Sequence, residues 1–390
     1  MIRISRSYRS LRTGLLVGVF FAGLSGMNRS IAQATAANDI TGRFYLPEKV
    51  KGSDPALIST ELIYELNNRP VPQCHASTIV ETPHGLVVAF FGGTHEGHPD
   101  VGIHVSRLSG GTWTRPEQVA TGVQDDSLQY PCWNPVLFQP RHGDLMLFYK
   151  VGPSPQKWWG MVMTSADGGR TWSAPRKLGT DPKFGHLLGP IKNKPVQLPD
   201  GRIICPTSIE YPKGDGEDQD WRVYFETSGD GGRTWEVTGP INDGVTFDAI
   251  QPSILFYPDG NLQVICRTRQ DVLAESWSRD QGRTWSPLRA MELPNPNSGT
   301  DAVTLHDGRQ LLVYNHSTKK GREPKGRNIL NVALSADGKT WTPAMTLENE
   351  PIEDGYAYPA VIQAADGRVH ITYTYNRRTI KHVVIDPGKL

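Results

Sequence analysis

The feature that most constrains the fold is a tight turn between two apolar runs, which occurs six times along the chain. Examples are VQLPDGRIICP and LFYPDGNLQVIC, in which Asp-Gly joins two strand-like segments. Glycine tolerates the positive φ that such turns need, so the pattern predicts β-hairpins. The turn glycines are Gly85, Gly143, Gly201, Gly260, Gly308 and Gly367, with separations of 58, 58, 59, 48 and 59 residues. Strands repeated at this period predict a repeat architecture.

A second repeated segment lies in the later part of most units. It reads SADGGRTW at 165–172, SGDGGRTW at 228–235, SRDQGRTW at 278–285 and SADGKTW at 335–341, with a degenerate SGGTW that ends at Trp113. Its aspartate can accept backbone N–H groups across a turn, and its tryptophan can pack as an apolar plug. One fixed carboxylate offers too few ligands for a calcium loop. We therefore interpret these octamers as scaffold turns in units of four strands, which predicts an all-β six-bladed β-propeller.

The last unit lacks its own fourth strand, because the chain ends after TIKHVVI without another octamer. The run ELIYELN at 61–67 precedes the first hairpin and can supply that strand, which would close the ring and remove an open sheet edge. We therefore expect a propeller domain over 60–390, preceded by a lead segment at 35–59. A β-sandwich or two separate β domains are the alternatives.

The N-terminus is typical of a secretory signal peptide over 1–34. Basic residues from Arg3 to Arg12 precede the apolar run GLLVGVFFAGL, and Ala32-Gln33-Ala34 fits a cleavage site. An uncleaved membrane anchor is the alternative. No second apolar run has spanning length, so we expect an exported mature chain, periplasmic or extracellular, with no stable membrane span.

The net charge and the cysteine content narrow the class of protein further. The net charge of +1 gives no electrostatic reason to expect a nucleic-acid partner. Four cysteines in 390 residues are too few for a disulfide scaffold. Cys74 and Cys132 each lie eleven positions before their turn glycine in successive units. They are either a disulfide or two buried thiols.

Polar and aromatic side chains recur at the start of each unit, where an apolar core would not favour them. If the first strand of each blade lines the axis, its first residues converge at one mouth of the channel and form a ligand pocket. Residues nine or ten positions before the turn glycines include His75, Trp133, Asn134, Lys192, Gln251 and Tyr358, and Arg267 and Asn315 stand seven positions after theirs.

The octamers resemble the Asp-boxes, or BNR repeats, of the sialidase (neuraminidase) superfamily, a resemblance that covers roughly residues 60–385. It implies an acid/base role for Asp100, carboxylate-binding roles for Arg267 and Arg327, and a nucleophile at Tyr358. The chain departs from the family pattern at two positions. His75 stands where a third arginine is expected, and Gln251 stands where a glutamate is expected to assist the tyrosine.

These residues predict an enzyme that acts on an acidic oligosaccharide or polysaccharide. The leading interpretation is an exo-acting glycoside hydrolase that removes a terminal carboxylated, sialic-acid-like sugar. In it His75 replaces the missing base, and Trp133, Asn134, Lys192 and Asn315 help to bind substrate. A uronate-directed lyase or related glycosidase and a non-catalytic glycan-binding propeller are the alternatives. We expect no cofactor and no metal, although the loop THEGHPD at 94–100 offers imidazoles and carboxylates.

Overall fold

The computed structural model describes residues 44–182, 184–213, 219–319 and 326–390. The predicted signal peptide and the first part of the lead segment lie outside these residues. Within them the chain forms six antiparallel sheets arranged as a six-bladed β-propeller, which confirms the predicted fold class. In five of the six blades the first strand contacts the first strand of a neighbouring blade.

Each blade is a short meander in which consecutive strands pair. The strands up to blade 3 are β1 (Leu57–Leu62), β2 (Gln73–Thr82), β3 (Gly85–Gly93), β4 (Gly102–Ser109), β5 (Thr112–Trp113), β6 (Glu117–Ala120), β7 (Cys132–Phe138), β8 (Leu145–Val151), β9 (Trp159–Ser165), β10 (Arg176–Lys177), β11 (Thr180–Asp181), β12 (Gly185–His186), β13 (Val196–Gln197), β14 (Ile203–Pro212), β15 (Gln219–Ser228) and β16 (Glu236–Thr238). Blade 1 contains β2 to β6, blade 2 contains β7 to β10, and blade 3 contains β13 to β16, while β11 and β12 form a separate small hairpin.

The remaining strands complete the ring. They are β17 (Ala249–Phe256), β18 (Leu262–Thr268), β19 (Val272–Ser278), β20 (Arg289–Pro294), β21 (Asp301–Thr304), β22 (Gln310–Tyr314), β23 (Leu330–Ser335), β24 (Thr342–Glu348), β25 (Tyr356–Gln363), β26 (Val369–Tyr375) and β27 (Thr379–Ile385), followed by a 3-10 helix (Pro387–Lys389). Blade 4 contains β17 to β20, blade 5 contains β21 to β24, and blade 6 contains β25 to β27 together with β1.

The N-terminal strand closes the ring, as predicted. In blade 6, β1 pairs antiparallel with β27, from Leu57 opposite Ile385 to Leu62 opposite Lys381. The closing strand begins four residues earlier than the run ELIYELN suggested, and three residues before the expected domain boundary at 60. The hydrophobic pattern thus predicted that the strand exists but did not predict where it begins and ends.

The octamers form tight turns in which the aspartate bonds to the backbone. Asp167 accepts the N–H groups of Arg170 and Thr171 at 3.0 and 2.9 Å and the Thr171 hydroxyl at 2.6 Å. The octamer aspartates Asp230, Asp280 and Asp337 have the same kinds of partner. The carboxylate oxygens are therefore used as hydrogen-bond acceptors within the turns, which agrees with a scaffold role for the octamers.

The octamer tryptophans pack against the preceding blade. Trp235 of blade 3 meets Phe148 of blade 2 edge-on at 6.2 Å between ring centroids, and Trp285 of blade 4 stacks on Phe225 of blade 3 at 4.6 Å. Each octamer thus links two blades across an apolar seam.

All four cysteines are buried and free, so the disulfide considered between Cys74 and Cys132 is not formed and the two-thiol alternative is correct. Burial raises the pKa of both thiols to about 12, which keeps them protonated and inert. Among the described residues, no helix is both long and apolar enough to cross a membrane.

Candidate active site

The inner strands share a strained backbone position at the mouth of the axis. The residue nine positions before the turn glycine has a positive φ in five blades, and it is Ala76 (55°), Asn134 (39°), Lys192 (70°), Gln251 (58°) or Tyr358 (53°). Glycine, at Gly299, occupies the equivalent position in the remaining blade. The left-handed conformation costs a non-glycine residue about 1–2 kcal/mol. Strain of this kind clusters at functional sites.

A bulge accompanies the strain in four of the blades. The pairing register shifts between His75 and Thr78, between Trp133 and Val136, between Ile250 and Ser253, and between Ala357 and Ala360. A bulge of this kind redirects a side chain that would otherwise alternate with the sheet. In these four blades the repeated fold thus supplies one redirected position, and the sequence fills each with a different residue.

Tyr358, Arg267 and Gln251 form a hydrogen-bonded group at this mouth. Arg267 donates from Nη1 to the Tyr358 Oη at 2.7 Å and to the Gln251 Oε1 at 3.2 Å. Gln251 donates from Nε2 to the same Tyr358 oxygen at 3.4 Å. Arg267 and Gln251 are only 6% and 3% exposed, whereas Tyr358 is half-buried. The phenolic oxygen therefore faces a cationic donor and an amide donor.

His75 lies against the ring of Tyr358 and is buried. The two ring centroids are 4.3 Å apart, and the imidazole Nδ1 is 3.1 Å from the Thr374 Oγ1, which also accepts the Ala76 N–H. Burial, followed by the charge of Arg377 and other nearby cations, lowers the pKa of His75 well below its ordinary value. The imidazole is therefore neutral at physiological pH, the form in which it can accept a proton.

Several cations surround the Tyr358–His75 pair. The guanidinium carbon of Arg327 lies 5.5 Å from the Tyr358 ring centroid, and that of Arg267 lies 5.7 Å away. Burial lowers the pKa of Arg327, and its two neighbours Arg267 and Arg377 add to this effect. Such an accumulation of positive charge favours an anionic ligand.

Lys192 lies in the floor of the site, where its buried ammonium group is hydrogen-bonded within the protein. Its Nζ donates to the Asn193 Oδ1 at 2.8 Å, to the Thr300 carbonyl at 2.5 Å and to the carbonyl of Pro359, the residue after Tyr358. Burial lowers its pKa to about 7. A Cβ at Gly299 would stand 3.2 Å from both the Gln251 Oε1 and the Lys192 Cε, so the floor is tightly packed.

Asp100 makes its described side-chain contacts within its own loop. Its carboxylate accepts the Thr94 N–H at 3.0 Å and the Thr94 hydroxyl at 2.6 Å, and it pairs with the His98 Nδ1 at 2.7 Å. Although partial burial acts to raise the pKa of Asp100, these hydrogen bonds outweigh it and leave the pKa lowered. Its side chain is 48% exposed. In this conformation it is an ionised surface carboxylate.

Comparison with known proteins supports the interpretation of the chain as a repeat-built propeller. A family model described as a BNR repeat-like domain matches residues 84–371. The chain belongs to this family, and with it to the sialidase superfamily.

Two curated relatives match about half of the chain. They are an anhydrosialidase from Macrobdella decora, 23% identical over 204 residues that cover 48% of this chain and 25% of that protein, and a sialidase from Bacteroides fragilis (strain YCH46), 26% identical over 200 residues that cover 47% and 33%. The matched segments thus span between a quarter and a third of the relatives' own length. A mutant of the NanB sialidase from Streptococcus pneumoniae has the same fold, with a TM-score of 0.65 at 14% identity over 87% of this chain and 72% of that one.

Three other predicted binding residues of this BNR-repeat protein are buried, and two of them donate hydrogen bonds to backbone carbonyls. Asn315 is fully buried and donates to the carbonyls of Ile329 and Tyr356, each at 2.9 Å, which ties blade 5 to blade 6. Trp133 is 7% exposed and donates from Nε1 to the Gly152 carbonyl at 2.9 Å. Asn134 is buried at the strained position of blade 2.

The structure adds residues to the site that the sequence analysis missed. Arg377 lies beside His75 in a narrow crevice, and Trp221 lies against Arg267, with 5.0 Å from the guanidinium carbon to the ring centroid. Burial raises the pKa of the half-buried Glu210 even though Arg267 and Arg269 act against it. Glu210 and Arg377 follow their turn glycines by nine and ten positions, so extending the search past the seventh position would have found them.

The loop at 94–100 does not gather its side chains into a metal site. His98 pairs with Asp100, Glu96 pairs with Arg377, and His95 Nδ1 contacts the Glu96 carbonyl at 3.0 Å. No group of three or more His, Cys, Asp or Glu side chains suited to a metal occurs in the described ranges.

Proposed function

We propose that this protein is an enzyme that acts on a terminal carboxylated sugar of a glycan, with hydrolysis of a sialic-acid-like residue as the leading reaction. The observation that carries the proposal is the Tyr358 oxygen, 2.7 Å from the Arg267 Nη1 and in a pocket that also holds Arg327. The names of the two curated relatives, a sialidase and an anhydrosialidase, agree with it.

The residues suit attack on an anionic sugar. A neutral phenol avoids the repulsion that a carboxylate nucleophile would meet, and sialidases are the glycosidases that use tyrosine. Guanidiniums bind carboxylates through paired hydrogen bonds, so Arg267 and Arg327 would hold the sugar's carboxylate. In this reaction the Tyr358 oxygen attacks the anomeric carbon, the glycosidic C–O bond breaks, and the phenolic proton passes to the neutral His75.

The leaving oxygen also needs a proton. Asp100 fills this role in the proposal only if its loop moves, because the Thr94 and His98 contacts keep the carboxylate ionised in the conformation described here. A carboxyl transferred from the exposed loop into a drier pocket would lose these bonds and gain the raised pKa that a general acid requires. Water then releases the sugar from Tyr358.

A lyase that acts on a uronate is the second candidate, and the pairing of His75 with Tyr358 favours it. Gln251 cannot act as a base, so the pocket lacks the glutamate that a tyrosine-dependent hydrolase would use at this position. A neutral His75 can remove the proton next to a carboxylate, Tyr358 can protonate the leaving oxygen, and Arg267 can stabilise the enolate-like intermediate.

Products distinguish these reactions from each other and from non-catalytic glycan binding. We would incubate the protein with sialylated and uronate-containing oligosaccharides and analyse the products by mass and near-ultraviolet absorbance. Hydrolysis adds one water and releases a reducing acidic sugar, whereas elimination yields an unsaturated uronide without added water. Both products should vanish in Tyr358→Phe. Retention of a glycan without any product would refute both enzymatic proposals, and release of neutral sugars alone would refute the carboxylated substrate.

We also propose that the chain is exported. The support is the basic segment, apolar run and Ala32-Gln33-Ala34 site in its first 34 residues. Fractionation of cells that express the full chain, followed by N-terminal sequencing, should find a mature form that begins near Thr35. An uncleaved protein in the soluble cytoplasmic fraction would contradict this.

A further inference from the structure

Arg377 brings a third guanidinium to the pocket from a part of the fold unrelated to the repeated positions. It lies in the turn between β26 and β27, where Asn376 and Arg377 both have positive φ, 50° and 49°. The Arg377 carbonyl accepts the Cys74 N–H at 2.8 Å, so the turn of blade 6 is fixed to the first strand of blade 1. The backbone of Arg377 is therefore anchored to the strand that carries His75.

Arg377 is electrostatically part of the same site as Tyr358. After burial, its charge is the largest influence that lowers the pKa of His75, and it also acts on Arg327. With His75 and Phe91 it lines the narrow crevice between blades 1 and 6. The guanidinium thus stands beside the position at which the chain has histidine in place of an arginine.

The partner of Arg377 is a carboxylate from an exposed loop. The Glu96 Oε2 lies 2.7 Å from the Arg377 Nη1, and the two side chains are 37% and 21% exposed. Among the described residues, Arg267 bonds only to the neutral groups of Asn297, Gln251 and Tyr358. Of the three guanidiniums, Arg377 alone has a described carboxylate within ion-pair distance.

We propose that Arg377 is a carboxylate-binding residue of this pocket, and that Glu96 is an internal carboxylate which a ligand's carboxylate displaces. The inference rests on the proposed function, since it assigns an acidic ligand to the same site. A partly exposed ion pair contributes little to stability, so exchange of one carboxylate for another is easy. The incoming carboxylate also gains Arg267 and Arg327, with which Glu96 forms no ion pair in the described part of the chain, although its charge acts to raise the pKa of Arg327.

The exchange also couples ligand binding to the loop at 94–100. Glu96 fastens that loop to blade 6, and Asp100 is in the same loop four residues later. Release of Glu96 removes the contact between this loop and the turn that bears Arg377. The ligand that fills the anion site would thereby free the segment that carries the candidate acid.

Calorimetric titration with N-acetylneuraminic acid and with D-glucuronic acid, each beside its neutral methyl ester, tests the proposal. Arg377→Met should weaken binding of the acid that the wild type prefers by about tenfold or more and leave the ester unaffected. Glu96→Gln should strengthen binding of the same acid, because the internal competitor is gone. Arg378→Met is the matched control, since Arg378 is the next residue of the turn, is 52% exposed and contacts Glu353 at 3.9 Å.

Each outcome supports or overturns the inference. Unchanged acid binding in Arg377→Met, with a wild type that binds acid, overturns the inference and leaves the proposed function standing. Weaker binding in Glu96→Gln overturns displacement even if Arg377→Met fails to fold. Failure of both wild type and Glu96→Gln to bind either acid overturns the inference and the carboxylated substrate together.

Discussion

Gln251 occupies the position at which one carboxylate would most change the chemistry of the pocket. Its amide nitrogen is 3.4 Å from the Tyr358 oxygen, and its amide oxygen accepts from Arg267. As an amide it can orient the phenol but cannot take its proton. Proton transfer from Tyr358 therefore has to use another group, and His75 is the neighbouring side chain that can accept a proton.

Gln251→Glu separates a hydrolase from other chemistry. If the protein hydrolyses a sialoside through Tyr358, the new carboxylate supplies a base beside the phenol, and kcat should rise by about tenfold or more. The measurement is steady-state release of the acidic sugar, and the double variant Gln251→Glu, Tyr358→Phe should lose the gain. A fall in activity on a substrate that the wild type processes would instead show that the amide belongs to a different reaction.

At the scale of elements, the octamers act between blades, away from the chemistry. The aspartate closes the turn, and the tryptophan then meets the blade before it, as Trp285 meets Phe225. The tryptophan of the degenerate SGGTW also packs against the preceding blade of the ring. Trp113 of blade 1 lies edge-on to His382 of blade 6, with 5.2 Å between the ring centroids. The repeated turn thus provides a repeated contact between adjacent blades.

Asp167→Ala should lower stability without changing specificity. The substitution leaves the N–H groups of Arg170 and Thr171 without their acceptor, so the turn frays at the edge of blade 2. We expect the midpoint of thermal unfolding to fall by a few degrees, while the ratio of kcat/KM values for two substrates stays constant. Asp144→Ala, at an exposed position in the hairpin turn of the same blade, is the control. A fully stable Asp167→Ala protein with a selective loss of catalysis would contradict the scaffold role.

The sequence repeat made the blades predictable, but a search limited to the repeated positions missed part of the site. The six hairpins and the octamer turns follow from patterns that recur, and the positive φ of Tyr358 recurs at the same position in four other blades. Arg377 and Glu210 lie beyond the seventh position after their turn glycines, where the sequence analysis ended its search, and the ring brings them beside His75 and Arg267 of neighbouring blades. Lys192 and Asn315 were predicted to bind substrate, and their hydrogen-bond partners include backbone carbonyls of other blades, which sequence spacing cannot reveal.

At the scale of the whole molecule, a chain of polar contacts that includes two buried histidines crosses the closure of the ring in blade 6. His370 Nδ1 lies 3.0 Å from His382 Nε2, and His382 Nδ1 lies 3.0 Å from the Glu61 Oε1 of the closing strand. Trp113 of blade 1 donates to the same Glu61 oxygen at 3.0 Å. These contacts join the N-terminal strand to three other strands, so the first and last blades are held by groups that titrate.

The histidine pair should make closure sensitive to acid. Burial, and then the neighbouring His382, lowers the pKa of His370 to about 4, and burial lowers the pKa of His382 as well. An unfolded histidine has a pKa near 6.5, so below about pH 6.5 the unfolded chain binds protons that the folded chain does not. The resulting stability is complete above that pH and is lost as the pH falls toward 4.

His370→Gln isolates this effect, because glutamine keeps a polar partner for His382 but does not titrate. Between pH 7 and pH 4 the free energy of unfolding of the wild type should fall more steeply than that of the variant, by up to about 3 kcal/mol, the upper limit set by the shift of His370. Urea unfolding at each pH gives both curves, and buried histidines elsewhere cancel in the difference. Parallel curves would show that protonation of His370 does not weaken the closure. A variant that unfolds at its N-terminal strand even at pH 8 would show that the imidazole acts by shape, and not by charge.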